Sequence, residues 1–317
     1  MKGCPWWQRA LIAIIKGLNP TKEPNVILKK RTTRLFEPFQ YEFFVRGFIA
    51  ATLVGALCGL IGVYIVLRRM AYIGHGLSHA VFGGAVVSYV MSFNFFIGAS
   101  IWGFLSALLI TLTTRKRKIG TDAAIGIITT ASFALGIALI SRFKTFTRSF
   151  DAALFGNILG VSTGDLLAIT VVAVFAVIIL FFGYKLFLFA TFDQDVARSY
   201  GVPIGWLDTI FSLVLAATIV VSIQILGVTL IAAAIVIPPI VARLLTNRFK
   251  VMIFLSTGIG AFCGLGGIYI SYYVDVSSGA SVVLFSALIF VIVLTYSNIQ
   301  NHIALITKRH GGHTHLP

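Results

Sequence analysis

Apolar runs of roughly 18–25 residues recur along this sequence, and each matches the helix length that crosses a hydrocarbon core about 30 Å thick. Few folds accommodate that pattern, because backbone N–H and C=O groups inside lipid must be satisfied within the segment itself. Nine candidate spans are read at about 44–67, 76–93, 97–114, 123–141, 166–189, 207–226, 228–245, 251–273 and 280–298. The sixth and seventh form one apolar block from Ile210 to Leu245, too long for a single crossing, so it is divided near Gly227. Left undivided, the block reduces the count to eight. Composition agrees: 58% of residues are hydrophobic and 11% charged, whereas a soluble domain is about a quarter charged. Outer-membrane barrels need alternating strands of about 10 residues, and none is visible. The expected fold class is all-α, a polytopic integral membrane protein of eight to nine transmembrane helices.

The formal charge of +15 does not point to nucleic acid, because the basic residues sit at the ends of apolar segments, where they set topology and meet lipid headgroups. Connections after odd-numbered spans hold Arg68, Arg69, Arg115, Lys116, Arg117, Lys118, Arg198, Arg248 and Lys250, and the C-terminal tail holds Lys308 and Arg309. Connections after even-numbered spans hold only Arg142, Lys144 and Arg148. The odd connections and the C-terminus are therefore expected in the cytoplasm. The same parity puts the N-terminal segment outside although it carries eight basic residues. Either that segment folds back across the membrane or the loop charges outvote it.

Three regions follow: a basic N-terminal extension over 1–42, a transmembrane domain over 43–298 and a His-rich tail over 299–317. Within the extension, Pro5 to Leu18 carries Arg9 and two tryptophans and reads as an interfacial helix, followed by a Pro- and Lys/Arg-rich linker. Cys4, Cys58 and Cys263 are scattered and suggest no disulfide framework. Pro238-Pro239 is expected to interrupt a regular helix, a break tolerated where protein or a cavity surrounds the backbone. The Gly260/Gly264 spacing permits close helix approach.

His75 and His79, at i and i+4, fall on one face of a helix and are borderline ligands suited to Zn, Mn or Fe. Two ligands do not complete a site, and the alternative is a pair hydrogen-bonded to backbone or Ser78. Asp122, Asp151, Asp165 and Asp275 lie at predicted span ends, where caps and solvated loop groups are the ordinary reading. Asp165 suits a helix start, and Asp275 stands at an outer turn where a delivered cation would arrive. Residues 191–203 form the most polar inner loop and suit a short amphipathic helix. Phe192, Val196 and Tyr200 share one face of it, Asp193, Asp195 and Arg198 are polar, and Gly201 with Pro203 supplies a stop. Such a helix serves either to dock a partner or simply to lie at the interface. The tail's His302, His310, His313 and His315 form a tract that either binds metal or is merely solvated. No GxxxxGK[ST] phosphate loop occurs, nor HExxH or GxSxG, so ATP is not hydrolysed here by that route.

Five strings occur in an order similar to that of the membrane permease subunit of the zinc/manganese/iron group of ATP-binding-cassette importers. They are Val66 to Met70 followed by Gly74, Ser78, His79 and Ala80; Leu154 to Ser162; Phe192-Asp193 through Ala197-Arg198 and Gly201; Ala233 to Pro239 with Ala242 to Leu245; and Ser271 to Tyr273 with Ser278 to Ala280. The resemblance implies a type II, vitamin-B12-importer-like permease in a bacterial plasma membrane. A second copy of the permease would complete the translocation path. Cytoplasmic ATP-binding subunits and an extracytoplasmic metal-binding protein would complete the complex. The 192–201 segment resembles the family's coupling loop that seats on the ATPase. Members carry aspartate and histidine one turn apart in the opening motif. Here His79 matches, whereas His75 stands in place of the aspartate and substitutes a neutral imidazole for an anion.

The expected function is the permease subunit of an importer of Mn, Zn or Fe, with His79, His75 and Asp275 along the metal path. No permanently bound cofactor is expected, the metal being substrate. His310, His313 and His315 are a secondary metal-binding candidate. The competing reading, an ATP-independent secondary transporter or channel, needs ionisable residues within spans for proton coupling. The carboxylates here cluster at span ends instead. A membrane scaffold would show no metal-dependent phenotype.

Overall fold

The computed structural model describes residues 37–91, 94–115, 120–143, 154–157 and 160–311. By its internal contacts the chain divides into residues 1–45 and 46–317. Of the first unit, the described part holds a 3-10 turn at Glu37–Gln40 and the opening of the first long helix, with Phe39 edge-on to Phe44 at 5.4 Å. The interfacial helix expected at Pro5–Leu18 lies outside the described residues.

The remaining chain is helical, with no strand among the described residues. The helices are α1 (Glu42–Leu67), α2 (Ala71–Val90), α3 (Phe95–Arg115), α4 (Thr121–Phe143), α5 (Thr163–Phe182), α6 (Tyr184–Phe192), α7 (Gln194–Ser199), α8 (Ile204–Leu226), α9 (Ile231–Leu245), α10 (Phe249–Val274) and α11 (Ser278–Gly311). Seven of them, α1, α3, α4, α5, α8, α10 and α11, are long and apolar enough to cross a membrane. The expectation of about nine such spans is therefore slightly high. The two shortfalls are physical. Helix α2 occupies the second expected position but is diluted by His75, His79 and four glycines, and α9 occupies the seventh with only 15 residues.

Helix α2 lies among α3, α4, α8 and α9, which makes it the element that other helices enclose. It begins at Ala71 rather than near residue 76, so His75 is inside the helix and not ahead of it. The turn before it is compact. The Arg69 N–H donates to the Val66 carbonyl at 3.2 Å and the Met70 N–H to the Ile65 carbonyl at 3.0 Å. These are the paired bonds of a Schellman cap, with Arg69 in the left-handed region at φ 57°.

Three other expectations meet the structure differently. The expected fifth span, 166–189, stops at Phe182, and a new helix starts at Tyr184. A side chain at the intervening Gly183 would press on the Phe187 ring. The division near Gly227 is where it was expected, and Gly227 adopts φ 74°, a conformation that ends α8 cleanly. Pro238 and Pro239, however, do not interrupt α9, which runs through both. Pro239 has no N–H to offer the Ile235 carbonyl, and that carbonyl lies instead against Gly62 of α1.

Close approach of α1 and α10 uses the anticipated glycines. A Cβ at Gly260 would collide with the Gly55 carbonyl, and one at Gly264 with the Ala51 carbonyl. The buried Ser256 hydroxyl donates to the Gly59 carbonyl across the same contact at 2.6 Å. With lipid as solvent, such backbone proximity and interhelical hydrogen bonds replace the hydrophobic drive.

Candidate functional site

His75 and His79 sit in the second and third turns of α2, and their Nε2 atoms are 3.3 Å apart. The rings meet edge to face, with centroids 4.6 Å apart. A tetrahedral ion with metal–nitrogen bonds of about 2.05 Å has a ligand–ligand edge of about 3.3 Å, so the spacing fits two corners of such a site. Local structure holds the pair in place. The Phe133 ring of α4 packs edge-on to His79 at 4.7 Å, and Tyr72 lies 5.9 Å from His75. Ser78 does not serve the imidazoles; its hydroxyl donates to the His75 carbonyl at 2.8 Å. His79 Nδ1 is buried and finds no hydrogen-bond partner among the described residues. Gly83 of α2 admits the Ser132 carbonyl of α4, so the helix carrying Phe133 comes close enough to wall the pair.

No group of three or more His, Cys, Asp or Glu side chains comes together among the described residues. Asp275 is accordingly not brought to the histidines. It caps α10 in the left-handed region at φ 58°, its N–H bonded to the Ser271 carbonyl at 3.0 Å. The start of α10, through Phe249, packs on Tyr64 and Phe192, near the beginning of α2. Its 26 residues carry Asp275 about 39 Å along the helix axis to the far end.

The polar loop is a real helix. In α7, Asp193 is the N-cap, its carboxylate accepting from the Val196 N–H at 2.9 Å, and Gly201 at φ 78° closes the other end. Asp195 faces Arg198 at 3.7 Å with both largely exposed, an arrangement that contributes little to stability. Phe192, Val196 and Tyr200 are 64%, 40% and 78% exposed, but they do not share one helix as expected: Phe192 ends α6, Asp193 is extended, and Tyr200 caps α7, leaving only Val196 within it.

One constellation escaped the sequence reading. Arg68, read there only as a topology charge, turns inward. Its side chain is 4% exposed, and its Nη1 donates to Asp208 Oδ1 at 2.7 Å. Its Nε donates to Thr191 Oγ1 at 3.1 Å, and the guanidinium lies 5.0 Å over the Phe211 ring. Nη2 is buried without a partner among the described residues. The available signal was Asp208 itself, a carboxylate at the second position of an expected span with no cation near it in sequence. A cavity of about 670 Å³ adjoins this group, lined among others by Ile73, Thr111, Gln194, Arg198 and Ser212.

Of the remaining candidates, Asp165 forms a capping box with Ser162 at the start of α5, and Asp122 lies in the first turn of α4. Helix α11 continues to Gly311, so the stretch expected as a tail from residue 299 is helical up to that point, His302 and His310 included. His313, His315 and Asp151 lie outside the described residues.

Residues 40–297 match the ABC 3 transport family. The manganese transport system membrane protein MntC of Halalkalibacterium halodurans is 38% identical over 257 residues, covering 81% of this chain and 88% of that protein. The manganese import system permease protein ScaB of Streptococcus gordonii is 35% identical, covering 80% and 90%. The chelated iron transport system membrane protein YfeD of Yersinia pestis is 32% identical, covering 83% and 89%. Among solved structures, PsaBC from Streptococcus pneumoniae in complex with Fab superposes with a TM-score of 0.74 at 34% identity, covering 83% of this chain and 95% of that one. Family membership implies dimerisation together with ATP-binding and substrate-binding partners. A match that runs from the opening of α1 to the hydrophobic part of α11, supported by relatives aligned over most of their length, has one meaning: this chain belongs to the ABC 3 transport family as an integral membrane permease.

Proposed function

We propose that this chain carries a divalent transition-metal ion, Mn, Zn or Fe, across the membrane as the permease half of an ATP-driven importer. The observation that carries the metal assignment is the His75/His79 pair, whose Nε2 atoms are 3.3 Å apart inside a helix with no Asp, Glu, Lys or Arg. Two protomers would present four imidazoles to one path, enough to replace the inner hydration of a passing cation. When His79 Nε2 binds the ion, the neutral ring must carry its proton on Nδ1, which has no acceptor among the described residues. A ligand without an outer hydrogen bond is less basic and holds its metal less firmly. That suits a site that must release what it binds. Asp275, at the opposite end of α10, would receive the ion delivered from an extracytoplasmic metal-binding protein.

The driving force comes from partner ATPases, which dock on the segment from the end of α6 through α7, on the exposed Phe192, Val196 and Tyr200, with Asp193, Asp195, Arg198 and Gly201 fixing and edging that surface. The relatives named for manganese and iron transport favour these metals. Imidazole in place of carboxylate leans toward Zn and Fe. Reconstitution of the permease with its ATPase and binding protein, followed by elemental analysis of accumulated metal, tests the reading. Wild type is expected to accumulate metal only with ATP, and His79→Ala to lose at least tenfold of that uptake. Unchanged uptake in His79→Ala would remove the pair from the path, and equal uptake without ATPase would overturn the importer assignment.

A further inference from the structure

Resting on that functional reading, we propose that Arg68 is the positioning residue linking movement of the ATPase-docking segment to the histidine-bearing helix. The two arginines that follow α1 are used differently. Arg69 is exposed and meets the demand for positive charge at this end of the span. Arg68 is buried at 4% exposure, a costly position for a guanidinium unless its partners fix it.

Those partners come from both sides of α7. Thr191 stands in the last turn of α6, immediately before the docking helix, and accepts from Arg68 Nε at 3.1 Å. Asp208 stands in the second turn of α8, immediately after it, and accepts from Nη1 at 2.7 Å. Phe211, one turn further, lies under the guanidinium at 5.0 Å. A tilt of α7 must shift Thr191 or Asp208, and a planar fork holding both registers the shift as torque on a single side chain. On the other side, only Arg69 and Met70 separate Arg68 from α2, and both are clamped by the cap bonds to Val66 and Ile65. His75 follows seven positions after Arg68. The chain therefore has little slack between the guanidinium and the imidazoles.

The third guanidinium nitrogen supplies an independent observation. Nη2 is buried and has no partner among the described residues, an arrangement that native proteins rarely leave without purpose. The adjoining cavity of about 670 Å³ brings Thr114, Gln194 and Ser212 to its walls, so acceptors and room for a second arrangement are at hand. In that arrangement Nη2 is paired, and the elbow between α1 and α2 is displaced. The link thus has two states that both the ATPase and the ion can bias.

The test is uptake of metal per ATP hydrolysed, measured in proteoliposomes holding the whole complex. Arg68→Lys keeps the charge opposite Asp208 but loses the fork, and Thr191→Val removes one acceptor while leaving the ion pair intact. Both are expected to lower uptake per ATP at least tenfold, with hydrolysis within twofold of wild type and the complex eluting intact; Thr191→Ser should restore the ratio. Should Arg68→Lys fail to assemble, the Thr191 pair decides alone. An unchanged ratio in Thr191→Val, or uptake and hydrolysis falling in proportion, overturns the link while leaving the importer reading in place. A wild type without ATP-driven uptake overturns both.

Discussion

On the proposed metal path, His75 would bear on both the affinity and the choice of ion. Beside His79 it offers a second neutral nitrogen at the edge length of a tetrahedral site. Replacing it with aspartate would restore an anion and a harder oxygen donor, which favours Mn over Zn. His75→Asp is expected to keep transport and to raise the Mn:Zn ratio of accumulated metal several-fold, read in a competition assay with both ions at equal concentration. A ratio unchanged from wild type would separate His75 from ion selection. Asp193 makes a different kind of contribution, since its carboxylate caps the helix that follows. Asp193→Ala removes about 1 kcal/mol of helix stabilisation and should weaken co-purification of the ATPase. Asp193→Asn, which keeps the cap, should not.

At the scale of an element, the elbow from α1 to α2 holds its shape at some cost. Arg69 occupies the left-handed region at φ 57°, which costs a residue with a Cβ roughly 1 kcal/mol relative to glycine. Arg69→Gly is therefore expected to raise the thermal midpoint in detergent by a few degrees, an effect measurable by fluorescence-detected size exclusion. A lower midpoint would mean that the exposed side chain makes contacts worth more than the strain. Helix α9 makes the complementary point. It runs through two prolines, and the Ile235 carbonyl and Pro239 ring pack so closely on Gly62 of α1 that a Cβ there would collide with both. Gly62→Ala should disturb α9 as much as α1.

For the whole molecule, backbone proximity holds the helices together. On α10, Gly260 faces the Gly55 carbonyl at a distance that excludes any Cβ, whereas Gly258 has open space around its Cβ position. Gly258→Ala should therefore be neutral or stabilising by up to about 1 kcal/mol, the helix-propensity gain. Gly260→Ala, two positions away, should push α1 and α10 apart and abolish the monodisperse peak. Equal behaviour of the two variants would show that this contact does not organise the bundle. The exposure of α5, only 17% of whose apolar window is buried, fits a helix whose neighbours are lipid or a second copy.

Much of this was legible in one dimension because a bilayer imposes its thickness on sequence. Apolar length at seven of the nine expected spans, the division at Gly227, the stop at Gly201 and the Asp165 helix start are local properties, and each is present in the fold. The i, i+4 histidines were legible for the same reason, since one helical turn brings them together. What sequence could not reveal depends on helices packing side by side. The inward turn of Arg68 depends on Thr191 and Asp208, more than 120 positions away. The close seating of Pro238-Pro239 of α9 involves a glycine of α1, and the separation of Asp275 from the histidines depends on the direction of α10. In lipid, any apolar residue satisfies the span, so the pattern of apolar residues carries little information about which helix meets which. Glycine notches and a few buried polar bonds make that choice, and they act only once the helices are in contact.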